Sequence, residues 1–170
     1  GTALVDVDAL PWIPFTPYSD EVFLKLIKIN PINGEWTTLL KLPAGMALPK
    51  HHHAGTVHVY TVAGRWRYLE HDWVAGPGSM VFETAASSHT PVALPEADVI
   101  ALNIIIGDWN LLDENDNIIA VENWRSMLKR YADYCAANGI ARIAASAQAH
   151  RRCQHSKDAR PTHTHLQSPS

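Results

Sequence analysis

Three histidines carry the chemistry this chain offers first. His51 and His53 stand two apart in Lys50-His51-His52-His53-Ala54, and on extended chain that spacing sends both side chains off one face. His52 then points the opposite way, toward the surface or a second face. A third imidazole, His89, comes later, after the Gly76-Pro77-Gly78 turn and a short strand. Two rings on one strand face and a third from another element make a facial metal site with open positions opposite. His58 is a rival ligand. Strand parity puts Val57 rather than His58 on the face of His51 and His53, but a bulge at Ala54-Gly55 would reverse that. Imidazole suits Fe, Zn, Cu and Ni alike, so the ligands leave the metal open. Three neutral rings also leave a divalent ion's charge uncompensated, which favours an anionic chelating substrate such as an enolate or enediolate.

Other side chains gather around this centre. Glu83 lies six residues before His89, on the strand leading to it. It is a candidate to accept the outer N–H of a ligand histidine or to act as general base on a substrate proton; the plainer alternative is a solvated carboxylate at a strand edge. In Arg65-Trp66-Arg67-Tyr68 the period of two puts both aromatics together toward an interior and the arginines toward water. Trp66, Tyr68 and Val57 are the candidate walls of a substrate cavity, with ordinary packing the alternative for Trp66. His163-Thr-His165 repeats the spacing of two without the strand and turn around it, as adventitious metal-binding tracts do.

The elements that must hold these residues read as β-rich. Runs over residues 21–29, 35–42, 57–63, 65–70, 79–84 and 98–107 have strand composition, and Gly and Pro break the chain between them. Residues 21–29 are largely apolar on both faces, as in a strand covered on both sides. Gly64 is expected to turn a hairpin joining 57–63 to 65–70. From residue 121 to 137 the period changes to that of an amphipathic helix. Trp124, Met127, Leu128, Tyr131, Tyr134 and Cys135 form its apolar stripe, and Asn138-Gly139 its stop. Many short strands and one late helix predict an all-β sandwich or barrel with a C-terminal helix.

Residues 1–20 are expected to form an arm, since Pro11, Pro14 and Pro17 interleave with Trp12, Phe15 and Tyr18. Residues 21–140 form the main domain with its helix. Residues 141–170, with five Lys/Arg, four His and one acid, lack the apolar residues for a core and are expected to be a flexible tail. At 170 residues and 46% hydrophobic the chain can bury one sizeable core. A net charge of −3 gives no basic stripe for nucleic acid. No apolar run reaches spanning length and no signal pattern opens the chain, so no membrane partner is expected. Gly1 in place of Met is expected of a trimmed chain with an upstream piece missing. The two cysteines, Cys135 and Cys153, fit a reducing cytoplasm better than a disulfide framework.

A resemblance adds to this reading. Gly45, five residues, His51-His52-His53, three residues, Val57, six residues, Gly64 resembles the first motif of the cupins. Gly76-Pro77-Gly78, residues 79–83 and His89 resemble the second. Val57 occupies the slot where cupins usually carry a glutamate ligand. The runs from His51 to His58, from Gly64 to Glu70 and from Phe82 to Pro91 are most similar to the branch of 2,4'-dihydroxyacetophenone dioxygenase, and more distantly to the acetylacetone-cleaving dioxygenase. The resemblance implies a cupin jelly roll and non-haem iron on His51, His53 and His89. It also implies O2-dependent cleavage of the C–C bond next to a carbonyl, with Glu83 assisting deprotonation, and a homo-oligomer, dimer or tetramer. For a dihydroxyacetophenone the products would be 4-hydroxybenzoate and formate. Two other classes share these residues: a zinc-binding regulatory cupin of the anti-sigma type, and a zinc or cofactor-free isomerase.

Overall fold

The computed structural model describes residues 3–143. The tract His163-Thr-His165, Cys153 and most of the expected tail lie outside the described residues. Twelve strands and one helix follow in order: β1 (Ile13–Pro14), β2 (Phe23–Asn30), β3 (Glu35–Leu42), β4 (His51–His53), β5 (Val57–Ala63), β6 (Trp66–Tyr68), β7 (Met80–Glu83), β8 (Ser88–His89), β9 (Pro91–Ala93), β10 (Val99–Ile106), β11 (Trp109–Leu112), β12 (Ile118–Glu122) and α1 (Trp124–Asn138). A six-stranded sheet runs β1-β2-β3-β10-β5-β7, a four-stranded sheet β12-β11-β4-β8, and β6 pairs with β9. Every pairing is antiparallel. Side chains from all three sheets line one interior cavity, so the expected all-β architecture with a late helix is what forms. No described helix is long and apolar enough to cross a membrane.

One expectation is corrected. Residues 57–63 and 65–70 do not form a hairpin. β5 pairs with β10 and β7, whereas β6 pairs with β9. Gly64 is a corner at which the chain leaves one sheet for another. Its φ is +74°, and a Cβ there would lie 2.2 Å from the Asp98 carbonyl oxygen. The corner is set by this close approach of two backbones, which only glycine permits.

The two apolar faces of β2 are both covered. Leu24 and Leu26 enter the core, and a register shift between Leu26 and Lys28 returns Ile29 to it. Lys25, on the opposite face, is buried by the N-terminal segment: its Nζ donates to the Val7 carbonyl at 2.9 Å and sits 4.9 Å from the Trp12 ring. The residues read as an arm pack on their own barrel, with Leu10, Ile13 and Phe15 buried.

α1 begins at Asn123, whose side chain accepts from the Arg125 and Ser126 amides while Ser126 returns a bond to the Asn123 amide. It ends at Gly139 in the left-handed region. Met127, Tyr131 and Cys135 are its buried stripe. From the helix, Arg130 reaches Glu122 at 2.6 Å and the Thr16 carbonyl, and lies 5.1 Å over the Phe15 ring. Phe15 stacks on Trp109, and Trp109 packs against His51 and His53. The helix and the arm thus brace the back of the histidine strand.

Candidate metal centre

Strand pairing assembles the histidines. β4 lies between β8 and β11, and its register sets His51 opposite His89 and His53 opposite Trp109. His51, His53 and His89 are all buried, and one nitrogen of each lies within 4.8 Å of the others. Their ring centroids are 5.1, 4.7 and 6.0 Å apart for the pairs 51–53, 51–89 and 53–89. His51 Nδ1 stands 2.9 Å from the Pro49 carbonyl. A carbonyl only accepts, so Nδ1 carries the proton and Nε2 keeps its lone pair for a metal. Burial, followed by the neighbouring histidines, pushes His51 down to about 3. Burial, followed by His89 and His52, does the same for His53, also to about 3. Both rings are therefore neutral near pH 7, the form that binds metal.

The acid of the site comes from a strand away. Val57 and Glu83 are direct partners across β5 and β7, and both are buried. Glu83 Oε1 accepts from the Tyr68 hydroxyl. Glu83 Oε2 lies 3.0 Å from His89 Nε2 and 3.4 Å from His53 Nε2. Neither contact has hydrogen-bond direction, because Glu83 Oε2 and His89 Nε2 are both buried without a partner, as is His53 Nδ1. Buried polar atoms with no partner are costly. A cation among the three rings would satisfy His89 Nε2 and Glu83 Oε2, so the residues present fit the metal that the pattern implies. Tyr68 is held as a donor: burial first, then the adjacent Glu83, raises its phenol well above the ordinary range. Its ring also stacks on His89 at 4.1 Å.

Each sequence-derived candidate can now be placed. His51, His53, Val57, Trp66, Tyr68 and Glu83 line one cavity of about 60 Å³, walled otherwise mainly by aliphatic side chains. Trp66 donates to the Thr61 hydroxyl at 2.8 Å. His58 is exposed and packs edge-on against Phe82, which removes it from the metal shell. His52 also faces away, toward Asn110. Trp109 was not among the candidates, yet it lines the cavity and backs two of the histidines. Glu70 was missed as well: its carboxylate takes both the amide and the hydroxyl of Thr90, 2.9 and 3.0 Å away, and so fixes the residue after His89. Neither residue stands at a recurring spacing from the histidines.

Residues 1–104 match the ChrR Cupin-like domain family. This chain is a cupin of that family. An RmlC-like cupin from Ralstonia eutropha is similar at 54% identity and a TM-score of 0.82, over 85% of this chain and 94% of that one. An acetylacetone dioxygenase from Acinetobacter johnsonii is similar at 22% identity and a TM-score of 0.71, over 78% and 93% of the two chains. A second Ralstonia eutropha protein with a cupin-like fold is similar at 20% identity and a TM-score of 0.74, over 83% and 92%. The last two show the fold alone. No curated protein matches. In this cupin the motif's glutamate slot holds Val57, and the cross-strand Glu83 puts a carboxylate beside the same histidines.

Proposed function

We propose that this cupin is a non-haem iron dioxygenase that cleaves the C–C bond next to the carbonyl of a small hydroxyketone. The observation that carries the reading is the trio of buried imidazoles, His51, His53 and His89, with an unpartnered Glu83 oxygen beside them. With 2,4'-dihydroxyacetophenone the products are 4-hydroxybenzoate and formate, and each new acid receives one atom of O2. Bound iron would supply Lewis acidity toward the ketone and hydroxyl oxygens and a redox partner for O2. The chain's own residues do the rest. His51, His53 and His89 hold the metal. Glu83 Oε2 takes the proton from the substrate's α-carbon or hydroxyl. Tyr68 anchors the other carboxylate oxygen and so aims the base. Val57 and Trp66 wall the cavity against water. The working form is a cytoplasmic homo-oligomer, dimer or tetramer.

The family match favours a second reading, in which the same histidines hold zinc and sense a ligand without turnover, in the manner of an anti-sigma cupin. Oxygen uptake separates the two. After anaerobic reconstitution with ferrous iron, the protein should consume O2 with 2,4'-dihydroxyacetophenone and release formate, and the zinc form should be silent. An iron-loaded protein that consumes no O2 on a panel of hydroxyketones and 1,2- or 1,3-dicarbonyls would refute the dioxygenase reading.

A further inference from the structure

The six-stranded sheet is covered on only part of its outer face. Over β2 the N-terminal segment lies on Lys25, through the Val7 carbonyl and the Trp12 ring. Farther across, the outward side chains of β3, β10, β5 and β7 stand open. Register sets them in rows: Thr37, Ile104, His58 and Phe82 in one, and Leu39, Leu102, Tyr60 and Met80 in the next. Val62 and Ile100 continue the face toward the Gly64 corner. Phe82, Met80, Val62 and Tyr60 are 69%, 48%, 48% and 40% exposed. An antiparallel sheet that turns one face to water ordinarily makes that face polar; this one is apolar in its middle. Its charges stand at the margins. Lys41 lies near one end of β3, and Glu35 begins the strand at the other, where it meets Lys28 at 3.8 Å. An apolar centre with a polar rim is the anatomy of a protein interface.

We infer that this face is the contact between two copies of the chain, packed sheet to sheet about a two-fold axis near Tyr60 and Leu102. Area favours a second copy. Four strands about 4.8 Å apart, seven residues long at about 3.4 Å each, give a plane of roughly 450 Å². Two such planes come to roughly 900 Å² before side-chain relief is added, close to the roughly 1,000 Å² that a specific interface needs. Charge favours it too. A middle without charge offers an acidic or basic partner nothing to pair with, and it meets its own copy without like-charge repulsion. The axis falls near Tyr60 because a two-fold sets the central residues against themselves, and the row through Tyr60 is apolar on all four strands. Met80 and Phe82 alternate with Val81 and Glu83 along β7, so the copy that covers the first pair also holds the edge strand that brings Glu83 to the histidines. The inference rests on the homo-oligomer of the proposed function, whose contact it names, and not on the reaction.

Sedimentation velocity of the full chain, zinc-loaded and without substrate, tests this across the micromolar range. The parent should sediment as a dimer or tetramer. Tyr60→Lys and Phe82→Lys each put a charge against the second copy's apolar centre, and each should raise the dissociation constant of this contact at least about thirtyfold. The assembled mass should then halve at concentrations where the parent holds together. A monomeric parent overturns the inference. So does an assembly that survives both substitutions but is lost with Ile119→Lys, which would place the contact on β12, where Ile118, Ile119 and Val121 are also exposed. Hydroxyl-radical labelling of the parent keeps the test decisive where a lysine variant fails to fold. Labelling of Tyr60, Met80 and Phe82 should fall severalfold from dilute to concentrated protein, and equal labelling at both would refute the contact. A dimer through this face in a protein that consumes no O2 keeps the interface and refutes the reaction. A monomer that consumes O2 does the reverse.

Discussion

Glu83→Gln should change stability in opposite directions with and without metal. Glu83 is only 7% exposed, and its Oε2 has no hydrogen-bond partner. The groups nearest that oxygen are the imidazoles of His89 and His53, and His53 is held neutral near pH 7. In the metal-free protein one oxygen of this carboxylate is thus buried without a partner, a situation that costs about 1–3 kcal/mol. Glutamine keeps the shape and the oxygen that accepts from Tyr68, and replaces the unpartnered oxygen with a donor for a histidine nitrogen. The metal-free variant should gain most of that amount, which for a chain of this size is a rise in Tm of roughly 3–10 °C. With metal bound the same change removes a negative charge beside the ion. Losing such a partner typically weakens metal binding about 10–100-fold, or about 1.4–2.7 kcal/mol. The assay is thermal unfolding of parent and variant, each with EDTA and each saturated with zinc or anaerobic ferrous iron. A variant that melts lower in both states by the same amount would show that Glu83 serves only as an acceptor for Tyr68.

Other consequences are more direct. His89→Ala should lower bound metal from about one equivalent to less than a tenth, by elemental analysis after dialysis, because two rings on one strand cannot close a facial site; near-stoichiometric metal in the variant would remove His89 from the ligand set. In the EDTA-treated protein, His51 and His53 have folded values of about 3 against an ordinary 6.5. Between those limits the unfolded chain binds protons that the fold excludes. Stability is therefore complete above pH 6.5 and is lost as pH falls toward 3, with a slope of up to about 2.7 kcal/mol per pH unit for the two groups. Urea midpoints at pH 7.5, 6 and 5 measure this, and a His51→Asn/His53→Asn variant with the same slope would contradict it. Gly64→Ala places a Cβ 2.2 Å from the Asp98 oxygen at φ +74°. It should destabilise the fold by at least about 3 kcal/mol, combining left-handed strain with a backbone clash, and a denaturation midpoint within error of the parent would show that the corner yields.

What was legible in the sequence was whatever depends on period and local spacing. β3 and β5 occupy the residues expected of them, β10 and α1 differ only at their ends, and the helix stripe and its glycine stop are in place. His51 and His53 share a face because β4 is extended, and His58 leaves the site because parity holds through β5. Illegible features depend on which strand lies beside which. Gly64 looked like a hairpin turn because turn and corner demand the same residue; only the nearby Asp98 backbone distinguishes them. β11 and β12 lie where no strand was expected. Trp109–Leu112 is buried at every position, so it shows no alternation, and β12 carries its apolar residues Ile118, Ile119 and Val121 to solvent. With β11 unread, Trp109 had no visible route to the histidines.

The same distinction explains the acid. Along the chain, a hydrophobic residue in the glutamate slot at Val57 argues for a site made of imidazole alone. Across the sheet, Val57 and Glu83 are partners on one face, and partner side chains on adjacent strands project side by side, about 5 Å apart. A carboxylate moved from β5 to β7 therefore stays within contact of His53 and His89. The new origin has a consequence the old one would not. β5 is an interior strand, fixed by pairing on both sides, whereas β7 is the free edge of its sheet, beside a surface groove that His71, Trp73 and Ser88 also line. Among the described residues, Glu83 is thus the one acid that lines both the inner cavity and the outer groove, with Tyr68 bonded to it at the boundary. Restoring the motif with Val57→Glu in a Glu83→Val background would return the acid to β5 and separate it from the groove. Metal affinity should then recover to within about tenfold of the parent, while turnover of an aryl hydroxyketone stays lost. Recovery of both together would mean that the position of the charge, and not the strand that delivers it, is all the chemistry needs.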